Sequence, residues 1–203
     1  MTTFDERAKD WDTPDRIARA AEVAEAVRSA VPLARSDRLA DVGAGTGLLG
    51  LALLDDVGEV VLLDPSAGMI EVATSKLEIG HLSNVQAVRH DLLADPPPAE
   101  RFDVVISLLV LHHLEDTRAA LDAVRELLRP GGRIALADLD TEDGTFHSED
   151  AEGIHHHGFD RRALESVARE VGFVDVATDT AIVLEDETHP GRYPVFLLTG
   201  RRG

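Results

Sequence analysis

The sequence predicts an α/β protein, a doubly wound and mostly parallel seven-stranded sheet of the Rossmann-like kind. Three observations predict it. Short apolar runs alternate with helical repeats along nearly the whole chain, an order that builds parallel sheets through helical crossovers. A glycine-dense stretch, Asp41-Val-Gly-Ala-Gly-Thr-Gly-Leu-Leu-Gly50, sits at the first junction of strand and helix. The last two apolar runs are joined only by Glu185–Arg192, too short for a parallel crossover, so the final strand should run antiparallel to the other six.

The elements follow in order. Ile17, Ala20, Ala24, Val27 and Val31, three or four apart, mark one face of a helix. Thr13-Pro14-Asp15 supplies its cap, its first-turn proline and an early negative charge. A strand near Arg38–Gly43 leads through the glycine turn into a helix near Leu48–Asp55. Strand two is Glu59–Asp64, and Ser66 caps the next helix. Strand three is Val85–Asp91. After the rigid Pro96-Pro97-Pro98 loop comes strand four, Phe102–Val110. Asp116 caps a helix with Leu121, Val124 and Leu128 inward, stopped by Arg129-Pro130-Gly131-Gly132. Strand five is Arg133–Asp138. Beyond a long polar stretch, Asp160 caps a helix through Val171, with Gly172 just past its end. Strands near Val176–Leu184 and Tyr193–Thr199 close the chain.

At 203 residues the chain suits one domain, 1–203, with 1–31 as an amino-terminal lid and helix and 139–158 as a loop on the acceptor side. There is no cysteine, which removes disulfides, thiolate metal sites and cysteine nucleophiles. The charged opening, MTTFDERAKDWD, is unlike a secretory signal, and the longest apolar run is too short to span a bilayer; the expected location is the cytoplasm, with no membrane insertion. A formal charge of −18 repels phosphate backbones, so nucleic acid is not the expected partner. The sequence does not fix an oligomeric state.

Two patterns overlap at the turn. Gly45-Thr-Gly47-Leu-Leu-Gly50 fits G-x-G-x-x-G, the dinucleotide pattern, and Asp41 with Gly43, Gly45 and Gly47 fits D-x-G-x-G-x-G. The other strand tips separate them, because ligands of such sheets bind at the carboxyl ends of the strands. Strand two ends in Asp64, suited to a ribose diol. Strand three ends in Asp91-Leu92, where a carboxylate can accept from an adenine amino group and the next N–H can donate to the ring. Pro65 and Met69 offer apolar contact to adenine, and strand four ends in Ser107-Leu108 beside the turn.

On these residues the sequence resembles the class I S-adenosylmethionine-dependent methyltransferases. The resemblance rests on Asp41–Gly47, Asp64-Pro65-Ser66, Asp91-Leu92, Phe102–Leu114 and Leu127–Arg133, five motifs in the family's order. Phe102–Leu114 is most similar to the small-molecule branch, including quinone-type carbon methyltransferases. So is Phe4-Asp5…Ala8…Trp11-Asp12, where an aromatic segment closes over the cofactor. The resemblance implies the methyltransferase fold, strand order 3-2-1-4-5-7-6, and S-adenosylmethionine as cofactor. It implies the methionine portion over Gly43–Gly47 near Asp41 and Ser107, the ribose on Asp64, and adenine near Pro65, Met69, Asp91 and Leu92.

The implied reaction carries a methyl group to a small-molecule acceptor. A base is needed only where the acceptor must first lose a proton. The candidates are His112 and His113 after strand four, and His156 within His155-His156-His157. His112-His113 can also serve only to cap and shape the pocket floor. Histidines with Glu149, Asp150 and Glu152 have the chemistry of a metal site, but three consecutive residues rarely converge on one ion, so no metal is expected. Strand four ends in Ser107-Leu-Leu-Val, without the Pro-Pro-aromatic motif of the family's nucleic-acid and amide methylators. Two other classes share these features: a nicotinamide oxidoreductase using Gly45–Gly50, and a protein that binds S-adenosylmethionine without turnover.

Overall fold

A computed structural model describes residues 4–147, 153–185 and 191–203. Seven strands form one sheet: β1 (Arg38–Val42), β2 (Glu59–Asp64), β3 (Val85–Arg89), β4 (Phe102–Leu108), β5 (Leu128–Leu139), β6 (Phe173–Leu184) and β7 (Tyr193–Arg202). Their order is β3-β2-β1-β4-β5-β7-β6. β7 runs antiparallel to both its neighbours and the remaining pairs are parallel. The expected order and the reversed strand are both present. Order reverses at β1, which lies between β2 and β4 and carries the glycine turn at its carboxyl end.

The helices are α1 (Phe4–Arg7), α2 (Pro14–Ala30), α3 (Leu48–Ala52), α4 (Ala67–Ile79), α5 (Thr117–Leu127) and α6 (Arg161–Val171). Alternate residues of the central strands feed two cores, as the period of a strand requires. Leu39, Val60, Leu62 and Ile106 pack with Val23 and Val27 of α2, Leu49 of α3, and Ala73 and Leu77 of α4. Ala40, Val61, Val105 and Leu136 pack with Leu121 and Val124 of α5 and Leu164 and Ala168 of α6.

Side-chain caps start the helices where the sequence has them. Thr13, Ser66, Asp116 and Asp160 each accept an N–H three residues on, satisfying a donor that the first turn leaves orphaned. Gly172 ends α6 in the left-handed region, φ 108°.

Some expectations shift. Ile17, expected on the inner face of α2, is 49 % exposed, and Val23 takes the buried place instead. α3 closes at Ala52, and α5 at Leu127. The Arg129–Gly132 segment, expected as a stop between elements, lies within β5, where a register shift against β4 accommodates it. Strand three ends at Arg89, so Asp91 stands in the following turn. Strand four ends at Leu108, and Leu109 turns the chain at φ 57°.

Candidate active site

Three neighbouring strands bring their carboxyl ends together. Gly43, Gly45 and Gly47 all have positive φ (64°, 55° and 88°), a region that strains residues with a Cβ. At Gly47 the need is also steric, since a Cβ would lie 2.6 Å from Leu62 Cδ1. Asp41, at the end of β1 and 1 % exposed, accepts the Gly50 N–H at 2.8 Å and so ties the turn to α3. Burial pushes its carboxyl up to about 7; the Gly50 N–H pulls the other way, and the nearby Asp64 charge adds to the rise.

Asp64, at the end of β2, is the hub of the site. One carboxylate oxygen accepts the Gly45 N–H at 2.7 Å and the other the Ser66 N–H at 2.9 Å. A carboxylate has about four lone-pair positions, so each oxygen keeps capacity for another donor. Burial raises its pKa most, against the pull of the Ser66 and Gly45 N–H groups. Ser107 lies one residue past the Asp41–Ile106 pair of β1 and β4. It is 2 % exposed, and its Oγ has no hydrogen-bond partner among the described residues. A buried hydroxyl without a partner is costly, and this one stands at the tip of β4, next to that of β1.

Pro65 and Asp91 line a concavity of 360 Å³ with Arg89 and Asp95. Asp91 caps its own turn, accepting from Leu93 and Ala94 at 3.0 and 3.1 Å. Met69 is buried, with its sulfur 3.8 Å from where a Gly45 Cβ would be. Leu92 packs against one core and Leu108 against the other.

The amino-terminal segment lies over the turn. The Trp11 indole nitrogen is 3.5 Å from the Gly45 Cβ position. Arg16 sits 4.1 Å over the Trp11 ring and donates to the Trp11 carbonyl at 3.0 Å. Asp5 accepts from Ser66 Oγ at 2.5 Å and from the Gly68 N–H at 2.9 Å, fastening α1 to the start of α4. Asp12 accepts from Thr46 Oγ1 at 2.5 Å and pairs with Lys76. The Phe4 ring meets Trp11 edge-on at 5.8 Å and His113 at 5.6 Å. The Phe4 ring thus bridges Trp11, beside the turn, and His113, after β4.

The histidines divide. His112, 1 % exposed, hydrogen-bonds through Nδ1 to Asp138 Oδ1 at 2.7 Å and meets His147 nitrogen to nitrogen at 3.2 Å. His113 Nδ1 donates to the Gly153 carbonyl at 2.8 Å; burial and the neighbouring His112 lower its pKa. His156 Nε2 donates to the Leu114 carbonyl at 3.0 Å, which pins the returning chain. The His155 and His156 N–H groups both donate to the His112 carbonyl, and His157 meets Glu142 at 3.2 Å. The three consecutive histidines thus hold three different partners. Among the described residues no group of three or more acids and histidines is arranged to hold a metal ion. Glu149, Asp150 and Glu152 lie outside the described residues.

Asp138 and His147 belong to none of the sequence motifs above. Asp138 was legible in principle as one more acid ending a strand on the same sheet edge.

A family model described as a methyltransferase domain matches residues 40–134, which contain the glycine turn, Asp64, Asp91 and the His112-His113 segment. The chain is 34 % identical over 141 residues to an uncharacterized methyltransferase of Anoxybacillus flavithermus, covering 68 % of this chain and 58 % of that one. Residues 40–134 thus match a methyltransferase domain, and the fold is one shared with S-adenosylmethionine-dependent methyltransferase structures. The chain is 35 % identical over 102 residues to a ubiquinone biosynthesis O-methyltransferase of a Bradyrhizobium strain, covering 50 % of this chain and 40 % of that one. The chain therefore spans about half the length of the curated relatives it matches. This methyltransferase fold superposes on an S-adenosylmethionine-dependent methyltransferase structure from Aquifex aeolicus with a TM-score of 0.70, at 18 % identity and covering 98 % of both chains. No described helix is long and apolar enough to cross a membrane.

Proposed function

We propose that this chain transfers the methyl group of S-adenosylmethionine to a small-molecule acceptor by in-line displacement. The observation that carries the reading is the buried Asp64 carboxylate, which receives the Gly45 N–H at the glycine turn and keeps capacity for ribose hydroxyls. The unpartnered Ser107 Oγ and the concavity beside Pro65 and Asp91 support the fit at the two ends of such a cofactor.

When bound, S-adenosylmethionine supplies a methyl group already attached to a good leaving group, a sulfonium. The tasks left to the chain are to bind, align and exclude water; orientation is worth about 7–11 kcal/mol in favourable cases. In this reading Asp64 holds the ribose, while Pro65, Met69, Asp91 and Leu92 surround the adenine. The backbone of Gly43, Gly45 and Gly47, with Asp41 and Ser107, holds the methionine portion, and Leu108 walls the end. The carboxylates at the turn suit a cofactor bearing positive charge. Trp11 closes the site against water as a lid residue. His112 and His113 face the acceptor side, with His156 supporting that wall.

A small-molecule acceptor is supported by the formal charge of −18, unfavourable to nucleic acid, and by the absence of a Pro-Pro-aromatic motif after Ser107. The test is transfer of label from methyl-labelled donor across phenols, amines, thiols and carbon acids. Label is expected in one small-molecule class and absent from added DNA and RNA. Binding of S-adenosylhomocysteine with no turnover on any class would contradict the reading and favour a non-catalytic binding protein.

A further inference from the structure

We infer that His147 Nδ1 is the atom that takes a proton from the acceptor, that His112 and Asp138 behind it hold that proton, and that the acceptor is a weakly acidic hydroxyl such as a phenol. This rests on the methyl-transfer reading and names the substrate class of that same site.

The wiring follows from who can donate to whom. Asp138 is 0 % exposed, and its carboxylate accepts three N–H groups: His112 Nδ1 at 2.7 Å, the Leu139 N–H at 2.7 Å and the His112 N–H at 3.3 Å. A carboxylate only accepts, so His112 carries its hydrogen on Nδ1 and presents a lone pair at Nε2. His147 Nε2 lies 3.2 Å from that lone pair, so in the resting state His147 carries its own hydrogen on Nε2. A neutral imidazole has one hydrogen, which leaves His147 Nδ1 as an acceptor. No described residue hydrogen-bonds to it.

The chain of groups also has a direction. Asp138 and His112 are sealed from solvent, whereas His147 is half-buried, so a guest reaches His147 first. His147 leans on the ring of His113, 5.9 Å away, which meets the Phe4 ring that closes over the cofactor side. The groups facing His147 are His112 and His113 after β4, Asp138 at the end of β5, and Glu142 on its own segment.

When the acceptor gives its hydroxyl proton to His147 Nδ1, the hydrogen on His147 Nε2 passes to His112 Nε2. His112 then carries two hydrogens and a positive charge against the Asp138 carboxylate. The freed oxygen pair forms the bond to the methyl carbon as the carbon–sulfur bond breaks with its pair left on sulfur. The proton leaves by the reverse route after product release. Charge held on His147 itself is disfavoured: burial first, then His112 and His113, push its pKa down to about 4. Handing the proton inward to the carboxylate-backed ring solves that difficulty. An amine with a free lone pair would not require such a relay, whereas a weakly acidic hydroxyl is a poor nucleophile until it loses its proton, and the acceptor is assigned as a hydroxyl on that ground.

The test has three readouts on the full chain. Nitrogen-15 NMR of the imidazoles at mildly alkaline pH should show His112 protonated on Nδ1 and His147 on Nε2; His147 protonated on Nδ1 would overturn the relay. Second, wild type and His147→Gln are compared on phenols from those ionised at assay pH to those un-ionised. The variant should lose about 100-fold or more on un-ionised phenols and less than about threefold on a pre-ionised nitrophenol. An equal loss across the series, or no loss, would overturn the role. Wild type that binds S-adenosylhomocysteine yet methylates only amines or thiols would overturn the hydroxyl assignment. Third, S-adenosylhomocysteine binding to both proteins separates the two levels. Failure of wild type to bind it refutes the methyl-transfer reading, whereas normal binding with a failed phenol series refutes only the relay.

Discussion

Asp64→Ala is expected to weaken S-adenosylhomocysteine binding about ten- to hundredfold. Hydrogen bonds to a charged group are worth about 1.5–3 kcal/mol, and each 1.4 kcal/mol is a factor of ten in affinity. Two losses combine. The lone pairs assigned to the ribose disappear, and the Gly45 and Ser66 N–H groups lose the carboxylate that fixes the turn. Folding should suffer less than binding, because burial already penalises this carboxyl, as its raised pKa records. Titration calorimetry on folded wild type and variant decides it. Equal affinities would remove Asp64 from the binding site.

Asp138→Ala should produce the largest loss of stability of any single change considered. Three N–H donors, all pointing at one fully buried carboxylate, would be left without a partner. Breaking a buried charged network of this kind costs about 3–5 kcal/mol. For a domain of this length each kcal/mol moves the melting temperature by about 2–4 °C, so a drop of roughly 6–20 °C is expected. Asp138→Asn keeps the shape and one acceptor oxygen but sets an amide N–H against one of the donors, so it should fall between wild type and alanine. A melting curve for Asp138→Ala within a degree or two of wild type would contradict the network.

Much of the fold was legible because its causes are local. Caps at Thr13, Ser66, Asp116 and Asp160 satisfy orphaned N–H groups within three residues, and glycine at 43, 45 and 47 answers a backbone requirement. The reversed last strand followed from a connection too short to cross over. The burial of Val23 in place of Ile17 was less legible, because neighbouring positions on α2 satisfy the same periodicity and only packing chooses between them.

The site divides along the same line. Asp64 is readable because strand ends are readable. His112 and Asp138 are 26 positions apart, and their pairing arises from the side-by-side register of β4 and β5, which no local pattern encodes. The role of His156 shows the converse: a histidine in a polar stretch looks chemical in sequence, yet its Nε2 is committed to the Leu114 carbonyl. The rings over Gly45 were legible as a segment, while their contact with His113 required the fold.

The tips of β1, β2 and β4 are proposed to share one S-adenosylmethionine site, and ligand-induced stabilisation tests this most directly. At 100 times its dissociation constant a ligand adds about 2.7 kcal/mol. For this chain length that is a rise of about 5–11 °C in melting temperature. S-adenosylhomocysteine is expected to produce this rise and NAD to produce none. A rise with NAD and none with S-adenosylhomocysteine would contradict the account.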